Sequence, residues 1–341
     1  MNLWAGLDMK HANISIFVPH AGCPHQCSFC NQKEISGTQS QPTPEFVIET
    51  IKSALNNSSL SLADSEIAFF GGSFTAIERE YMISLLKAAY PFTGKDGFKG
   101  IRVSTRPDAI DDEIISILKQ YNVTAVELGA QSMDDNVLRL NMRGHTSADV
   151  DKASKLIKSA GISLGLQMMT GLYGDTYEGA VYTAKRIIEL KPDTVRIYPT
   201  VIMENTLLGD LWKKGEYKTL TFEDTIKLCA LLLDMFEQEG IKVIRLGLHA
   251  SESLESAMLA GAYHPALREL CEGERYFNRV VEILKERRIH YGDIIIKVNN
   301  KNISKMIGQA KRNIKRLNEL GYNCRVKVDN TITGSEIYIE C

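Results

Sequence analysis

Three things are missing from this 341-residue chain, and each absence removes a class of protein. No apolar run approaches the roughly 18 residues that a bilayer-spanning helix needs. The opening stretch MNLWAGLDMKHANISIFVPHAGC has neither a continuous apolar h-region nor a small-residue cleavage site. The expectation is a cytoplasmic protein with no membrane partner. A disulfide framework is missing too. Seven cysteines are an odd number, with Cys23, Cys27 and Cys30 close together and Cys229, Cys271, Cys324 and Cys341 scattered. That pattern excludes a small secreted, disulfide-stapled fold, and clustered thiols in a reducing compartment point to a metal. Low-complexity tracts and repeats of 20–50 residues are also lacking. With 44% hydrophobic and 24% charged residues, nothing suggests disorder.

The net charge of −2 conceals an asymmetry. Between Arg275 and Lys327 stand 14 Lys/Arg against 4 Asp/Glu, so the C-terminal segment is basic and the remainder acidic. A basic segment of this kind attracts a polyanion.

Up to about residue 250, short apolar strand candidates (14–18, 67–70, 101–104, 125–128, 163–168 and 194–198) alternate with amphipathic helix candidates (44–55, 79–89, 111–120, 147–160 and 177–190). Such alternation predicts an α/β fold with a parallel sheet, and right-handed crossovers curl it toward a barrel. Six units make a partial (β/α)6 TIM-like barrel, whose chemistry belongs at the C-terminal ends of the strands. Beyond 250 the rhythm changes. A helical linker is expected over 251–290, including a long helix at 265–288. A small α/β domain over 291–341 then has the order strand, two helical pieces around Gly308, and two strands.

Cys23, Cys27 and Cys30 form C-x3-C-x2-C in the loop after the first strand. A [4Fe–4S] cube usually takes four thiolates, so three leave one iron open. That iron can chelate the amino and carboxylate groups of S-adenosylmethionine (SAM). An electron entering the adjacent sulfonium then yields a 5′-deoxyadenosyl radical. The alternative is zinc on the three cysteines plus His20 or His25, but structural zinc usually shows a second ligand pair, and none follows. Phe29, just before the last cysteine, suits packing against adenine.

The triplet matches the signature of the radical SAM superfamily. Phe69-Phe70-Gly71-Gly72-Ser73-Phe74 resembles the family's GGE-type motif, whose backbone carbonyls would accept from the SAM ammonium. The runs VSTRPDAI (103–110), VELGAQSMDDNVLRLNMRGHT (126–146), MMTGLYGD (168–175) and RIYPTVIMENTLL (196–208) resemble the radical SAM domain of the Elongator catalytic subunit. They are similar, less closely, to the oxygen-independent coproporphyrinogen oxidases. The resemblance implies that Gln131 contacts the SAM ribose, that Arg143 pairs with the SAM carboxylate and that Gln167 lies near the ribose hydroxyls. It puts the backbone at Tyr198-Pro199 against adenine. Ser104 stands where both families carry glutamate, and GLYG at 171–174 replaces their GLPG turn, placing Tyr173 beside the pocket. The bland readings are a surface ion pair for Arg143, interior polar residues for Gln131 and Gln167, and core for Tyr198. The Elongator subunit continues into an acetyltransferase domain. The residues after 250 show none, so tRNA carboxymethylation is not expected to carry over.

In the appendix, Ile307-Gly308-Gln309-Ala310-Lys311-Arg312-Asn313-Ile314 resembles the KH signature I-G-x-x-G-x-x-I, whose turn clamps a nucleic-acid backbone. Lys311 replaces the second glycine, and Lys315 and Arg316 follow. Gly308, Lys311, Arg312, Lys315 and Arg316 are therefore the candidate RNA contacts. A small α/β cap with a solvated basic helix is the alternative. The leading expectation is a radical SAM enzyme that modifies tRNA or rRNA, served by an electron donor such as flavodoxin or ferredoxin. The competing expectations are a small-molecule or tetrapyrrole enzyme on the same barrel, and a non-catalytic Fe–S or haem-binding, RNA-associated module.

Overall fold

The computed structural model describes residues 13–19, 27–30, 40–56, 60–249 and 252–341. Seven strands form one sheet: β1 (Asn13–Val18), β2 (Glu66–Gly71), β3 (Gly100–Thr105), β4 (Val123–Gln131), β5 (Ser163–Thr170), β6 (Thr194–Pro199) and β8 (Lys242–Leu246). They are hydrogen-bonded in that order, every pair parallel. β1 and β8 are the two edges, so the sheet curls into a barrel that does not close.

The helices between the strands are α1 (Pro44–Leu55), α2 (Arg79–Ala89), α3 (Asp112–Gln120), α4 (Asp135–Leu140), α5 (Ser147–Ser159), α6 (Tyr177–Glu189), α7 (Leu207–Lys213) and α8 (Phe222–Gln238). Polar side chains start them. Thr43, Asp111, Thr176 and Thr221 each accept from a first-turn amide, and Thr146 and Asp149 form a capping box at α5. Alternate strand residues turn outward against these helices. Ile16, Ile67, Phe69, Ile101, Val103, Leu164, Leu166, Val195 and Ile197 pack with helical residues such as Ile51, Leu85, Leu118, Ile157, Ile187 and Phe236 in one core. Burying each side chain of this size contributes about 1.5–3 kcal/mol. The intervening residues face the lumen, and many are polar.

Six strands match the sequence reading, and the seventh, β8, goes beyond it. β8 is only five residues long, and Lys242 and Arg245 interrupt its apolar pattern. β7 (Val201–Met203) pairs antiparallel with β9 (Met258–Gly261); β9 and the short α9 (Glu252–Ala257) before it fall inside the stretch expected to be a helical linker.

The long helix expected at 265–288 is α10 (Leu267–Glu286), and it serves two cores. Leu267, Leu270 and Cys271 join the barrel core, whereas Tyr276, Phe277, Val280 and Leu284 join a second core. The second core lies under the sheet of β10 (Gly292–Val298), β11 (Tyr322–Val328) and β12 (Tyr338–Glu340), with β10 central, parallel to β11 and antiparallel to β12. α11 (Ile303–Ile307) and α12 (Arg312–Glu319) connect β10 to β11. Among the described residues no helix is long and apolar enough to cross a membrane.

Candidate active site

Cys23 lies outside the described residues; Cys27 and Cys30 lie within them. Cys30 N–H donates to the Cys27 carbonyl at 3.1 Å, closing a tight turn. The residue between them and Phe29, Ser28, holds that turn in place. Its amide donates to the Asn141 carbonyl at 3.1 Å, its hydroxyl donates to Asn141 Oδ1 at 2.7 Å, and its carbonyl accepts from Leu208 N–H at 2.8 Å. Asn141 in turn donates to the carbonyls of Val137 and Tyr173. The cysteine turn is thus fastened between the end of α4 and the start of α7. Phe29 packs beside Ile202, Leu208, Tyr217 and Tyr173.

Arg143 reaches this turn from just after α4. It is only 7% exposed. One amino group donates to Cys27 Sγ at 3.0 Å and the other to the Gly129 carbonyl at 2.8 Å, and its guanidinium lies 5.9 Å from the centre of the Phe29 ring. Its Nε is buried without a partner, and no carboxylate pairs with it among the described residues. A buried guanidinium without a counter-ion is costly, so this position requires an anion. Gly129 makes the space for it. A Cβ there would stand 3.0 Å from Gln131 Nε2 and 3.4 Å from an Arg143 amino group.

Two further polar atoms lack partners. Gln131 Oε1 and Ser104 Oγ are both buried with no hydrogen-bond partner. Gln131 also holds a left-handed backbone, φ 65°, at the last position of β4, a strained conformation of the kind that collects at functional sites. Gly71 is needed for a different reason from the one the motif suggested. Its φ is +117°, and a Cβ would lie 2.7 Å from the Val18 carbonyl and 2.9 Å from the Phe17 ring, so glycine lets β1 and β2 meet where the cysteine loop departs. Gly72 N–H donates to that same carbonyl at 2.9 Å, and Ser73 is buried.

Gln167 and Tyr198 have partners. Gln167 donates to Glu127 Oε2 at 3.2 Å. Tyr198 is hydrogen-bonded to Arg196, and burial raises its phenol. Both border a lattice of charges across the lumen. Arg102 bonds Glu66 through Nε at 2.8 Å and Glu127 at 3.0 Å; Arg196 bonds Glu127 at 2.8 Å, and its Nε is ion-paired with the other carboxylate oxygen at 2.6 Å. Phe70 flanks Arg196.

Residues missed by the sequence reading are Asn141, Gly129, His145 and this lattice. His145 is buried with a ring nitrogen 3.2 Å from the Ala130 carbonyl. Burial first, and the Arg143 charge second, lower its pKa to about 4. It is therefore neutral at pH 7 and adds no second cation beside Arg143. Asn141 and His145 both fall in the run 126–146 that carries the family resemblance, which was the available signal.

In the appendix, Gly308 ends α11 at φ +75°, where a Cβ would press on Asn313 at 3.1 Å. Ala310 and Lys311 are left-handed as well, at 50° and 60°. Lys311 and Lys315 are exposed. Arg312 is paired with Glu223, and Arg316 with Glu274 while lying 3.6 Å from the centre of the Phe277 ring. These two arginines therefore fasten the appendix to α8 and α10.

A family model for the radical SAM superfamily matches residues 17–187, half of the chain. The chain belongs to the radical SAM superfamily. It is accordingly an enzyme whose cofactors are a [4Fe–4S] cluster and SAM. A second model, the radical SAM C-terminal domain, matches residues 192–285. The tRNA uridine(34) acetyltransferase of Methanocaldococcus infernus is 31% identical over 183 residues, which is 48% of this chain and 34% of that protein. Human Elongator complex protein 3 is 29% identical over 60% of this chain and 40% of its own length. An uncharacterised protein of Methanocaldococcus jannaschii is 28% identical over 86% of this chain and 85% of its own. The chain thus spans about a third of the length of the acetyltransferase it matches.

Among solved structures, the archaeal Elp3 of M. infernus superposes with a TM-score of 0.62 at 22% identity, covering 82% of this chain and 63% of that one. Coproporphyrinogen III oxidase of Escherichia coli gives 0.50 at 14%, covering 82% and 79%. At these identities both establish the fold alone. The residues present fit the superfamily's cofactors: thiols in a fastened turn, a buried guanidinium with no anion among the described residues, Gln131 with an unpartnered oxygen next to it, and an unpartnered Ser104 hydroxyl on β3.

Proposed function

We propose that this radical SAM enzyme modifies an RNA, tRNA or rRNA. The observation that carries the reading is the similarity, over the barrel, to proteins named for action on tRNA uridine 34. The basic C-terminal segment supports it. When bound, the cluster and SAM supply a 5′-deoxyadenosyl radical that abstracts hydrogen from an unactivated position.

The chain's own residues then have these roles. Cys27 and Cys30, with Cys23, are the cluster's ligands. Arg143 holds the SAM carboxylate through its Nε edge while its two amino groups stay on Cys27 and Gly129. Gln131 and Ser104 offer oxygens to the ribose, and Phe29 gives the site an apolar wall against water. Gln167 lies near the ribose hydroxyls with its amide nitrogen on Glu127, and the backbone at Tyr198-Pro199 meets adenine while the Tyr198 phenol stays on Arg196. The electron comes from a small donor protein of the flavodoxin or ferredoxin type.

Arg143→Lys is expected to lower SAM affinity roughly 10–100-fold, because one ammonium nitrogen cannot reach the separate positions that the three guanidinium nitrogens occupy. Equilibrium dialysis with SAM reads this out, and unchanged affinity would remove Arg143 from the site. The RNA assignment is tested by mass spectrometry of nucleosides from cellular tRNA and rRNA, with and without the protein. One modified nucleoside is expected to disappear. An unaltered nucleoside inventory, with deoxyadenosine release stimulated by a small-molecule extract and not by RNA, would overturn it.

A further inference from the structure

The N-terminal mouth of the barrel contains a chamber that the chemistry above does not use. Its volume is about 590 Å³, within the usual range for small-ligand sites. It lies between the two open edges of the sheet and is lined by residues of both, Asn13 from β1 and Lys242 and Arg245 from β8. Arg102 and Arg196 of the charged lattice form its roof.

The charges in it do not balance. Arg102 and Arg196 are matched by Glu66 and Glu127, two carboxylates for two guanidinia. Glu66 is further engaged by Thr124, and Asp64, at the rim, accepts from the Ser61 hydroxyl. Arg245 is left over. Among the described residues its one hydrogen bond runs from Nε to the Gly247 carbonyl at 2.9 Å, and no carboxylate pairs with it. It also stands directly beside Arg196 as that residue's register partner on the neighbouring parallel strand. Like charges directly opposite each other in a sheet are destabilising, and here they face a shared half-buried space. Burial and Arg196 both push the Arg245 guanidinium below its usual range. His249, which lines the same chamber, is lowered by burial and then by Arg245 and Arg196.

We propose that this chamber is an anion site that takes a phosphate-bearing ligand of nucleotide size, held by Arg245 with Arg196 and His249. A phosphate is the better match than a carboxylate. Its several oxygens can accept from two guanidinia approaching from adjacent strands and still leave one for the imidazole. The other two arginines of the chamber each have a carboxylate, and Arg245, half-buried beside Arg196, has none among the described residues. The phosphate can belong to a free nucleotide or to a nucleotide within an RNA strand. This assignment stands whether or not RNA is the substrate.

The test is thermal unfolding of the full chain with inorganic pyrophosphate, uridine 5′-monophosphate or a five-nucleotide RNA. The wild-type protein is expected to melt higher with pyrophosphate and with the nucleotide, by an increment that shrinks as salt rises. Arg245→Met should weaken that response at least roughly tenfold. Without ligand it should melt no lower than wild type, since it relieves a like-charge contact. Arg245→Lys should respond in between, and Lys95→Met, an exposed lysine elsewhere, like wild type. A stronger response to the short RNA than to the nucleotide assigns the phosphate to an RNA strand; the reverse assigns it to a free nucleotide. The proposal is overturned if none of the three probes shifts wild type. It is equally overturned if Arg245→Met responds as wild type does, or if that variant is destabilised without ligand while its response persists. Loss of the RNA modification reading leaves these outcomes unaffected.

Discussion

Cys27→Ser is expected to yield a folded protein that binds little iron and releases no measurable deoxyadenosine from SAM. The oxygen is nearly isosteric, so the turn keeps its bonds from Ser28 to Asn141 and Leu208, and Arg143 keeps an acceptor. What is lost is the thiolate, the ligand that iron–sulfur clusters take. Cys27 is 8% exposed and small, so stability should change by only about 1 kcal/mol. Iron content, visible absorption and deoxyadenosine release after reconstitution and reduction measure the first effect, and urea unfolding measures the second. Cys341→Ser, at an exposed position, is the control and should alter none of them. Wild-type iron content and turnover in Cys27→Ser would refute the ligand assignment. Arg143 bears on the same result from the other side. Its amino group donates to the Cys27 sulfur at 3.0 Å, so the residue proposed to hold SAM's carboxylate also touches the proposed iron ligand.

How much of this was readable beforehand follows from how local each signal is. The cysteine spacing is a five-residue and a four-residue interval, and the strand–helix alternation is a property of short windows. Both were legible. Arg143, Gln131 and Ser104 came through the family resemblance and not from any local rule. Residues whose meaning depends on distant partners were not legible. Glu127 reads as one more polar residue of a strand until Arg102 and Arg196 arrive from 25 and 69 positions away. Arg312 and Arg316 looked like solvated cations suited to phosphate, because nothing nearby in sequence announces Glu223 or Glu274, 89 and 42 positions distant. Gly129 was hidden because its function is to lack a side chain where two others meet. The seventh strand escaped because two basic residues, Lys242 and Arg245, broke its apolar pattern.

Glu127→Ala is expected to destabilise the fold by about 3–5 kcal/mol, the cost of breaking a buried ion pair by removing one partner. Glu127 is 1% exposed, accepts from Arg102, Arg196 and Gln167, and lies 2.6 Å from the Arg196 Nε as an ion pair. Removing its carboxylate leaves Arg102 with Glu66 but strips Arg196 of the one carboxylate it meets among the described residues, beside Arg245, which meets none among them. The stranded charge therefore dominates the loss, more than the missing hydrogen bonds. This ordering is testable. Glu127→Leu combined with Arg196→Met removes both charges and should cost less than Glu127→Ala alone, because apolar pairs of similar volume replace buried ion pairs at little penalty. Urea unfolding of the single and double variants gives the coupling energy directly. A loss below about 1 kcal/mol for Glu127→Ala, or strict additivity with Arg196→Met, would show that the lattice is not what holds the lumen. Function should follow stability here. Glu127 is the register partner of Ser104 across β3 and β4, and Gly129 and Gln131 come next on the same face of β4. The lattice is the floor on which the proposed SAM contacts stand, and deoxyadenosine release by Glu127→Ala should fall even at temperatures where the protein remains folded.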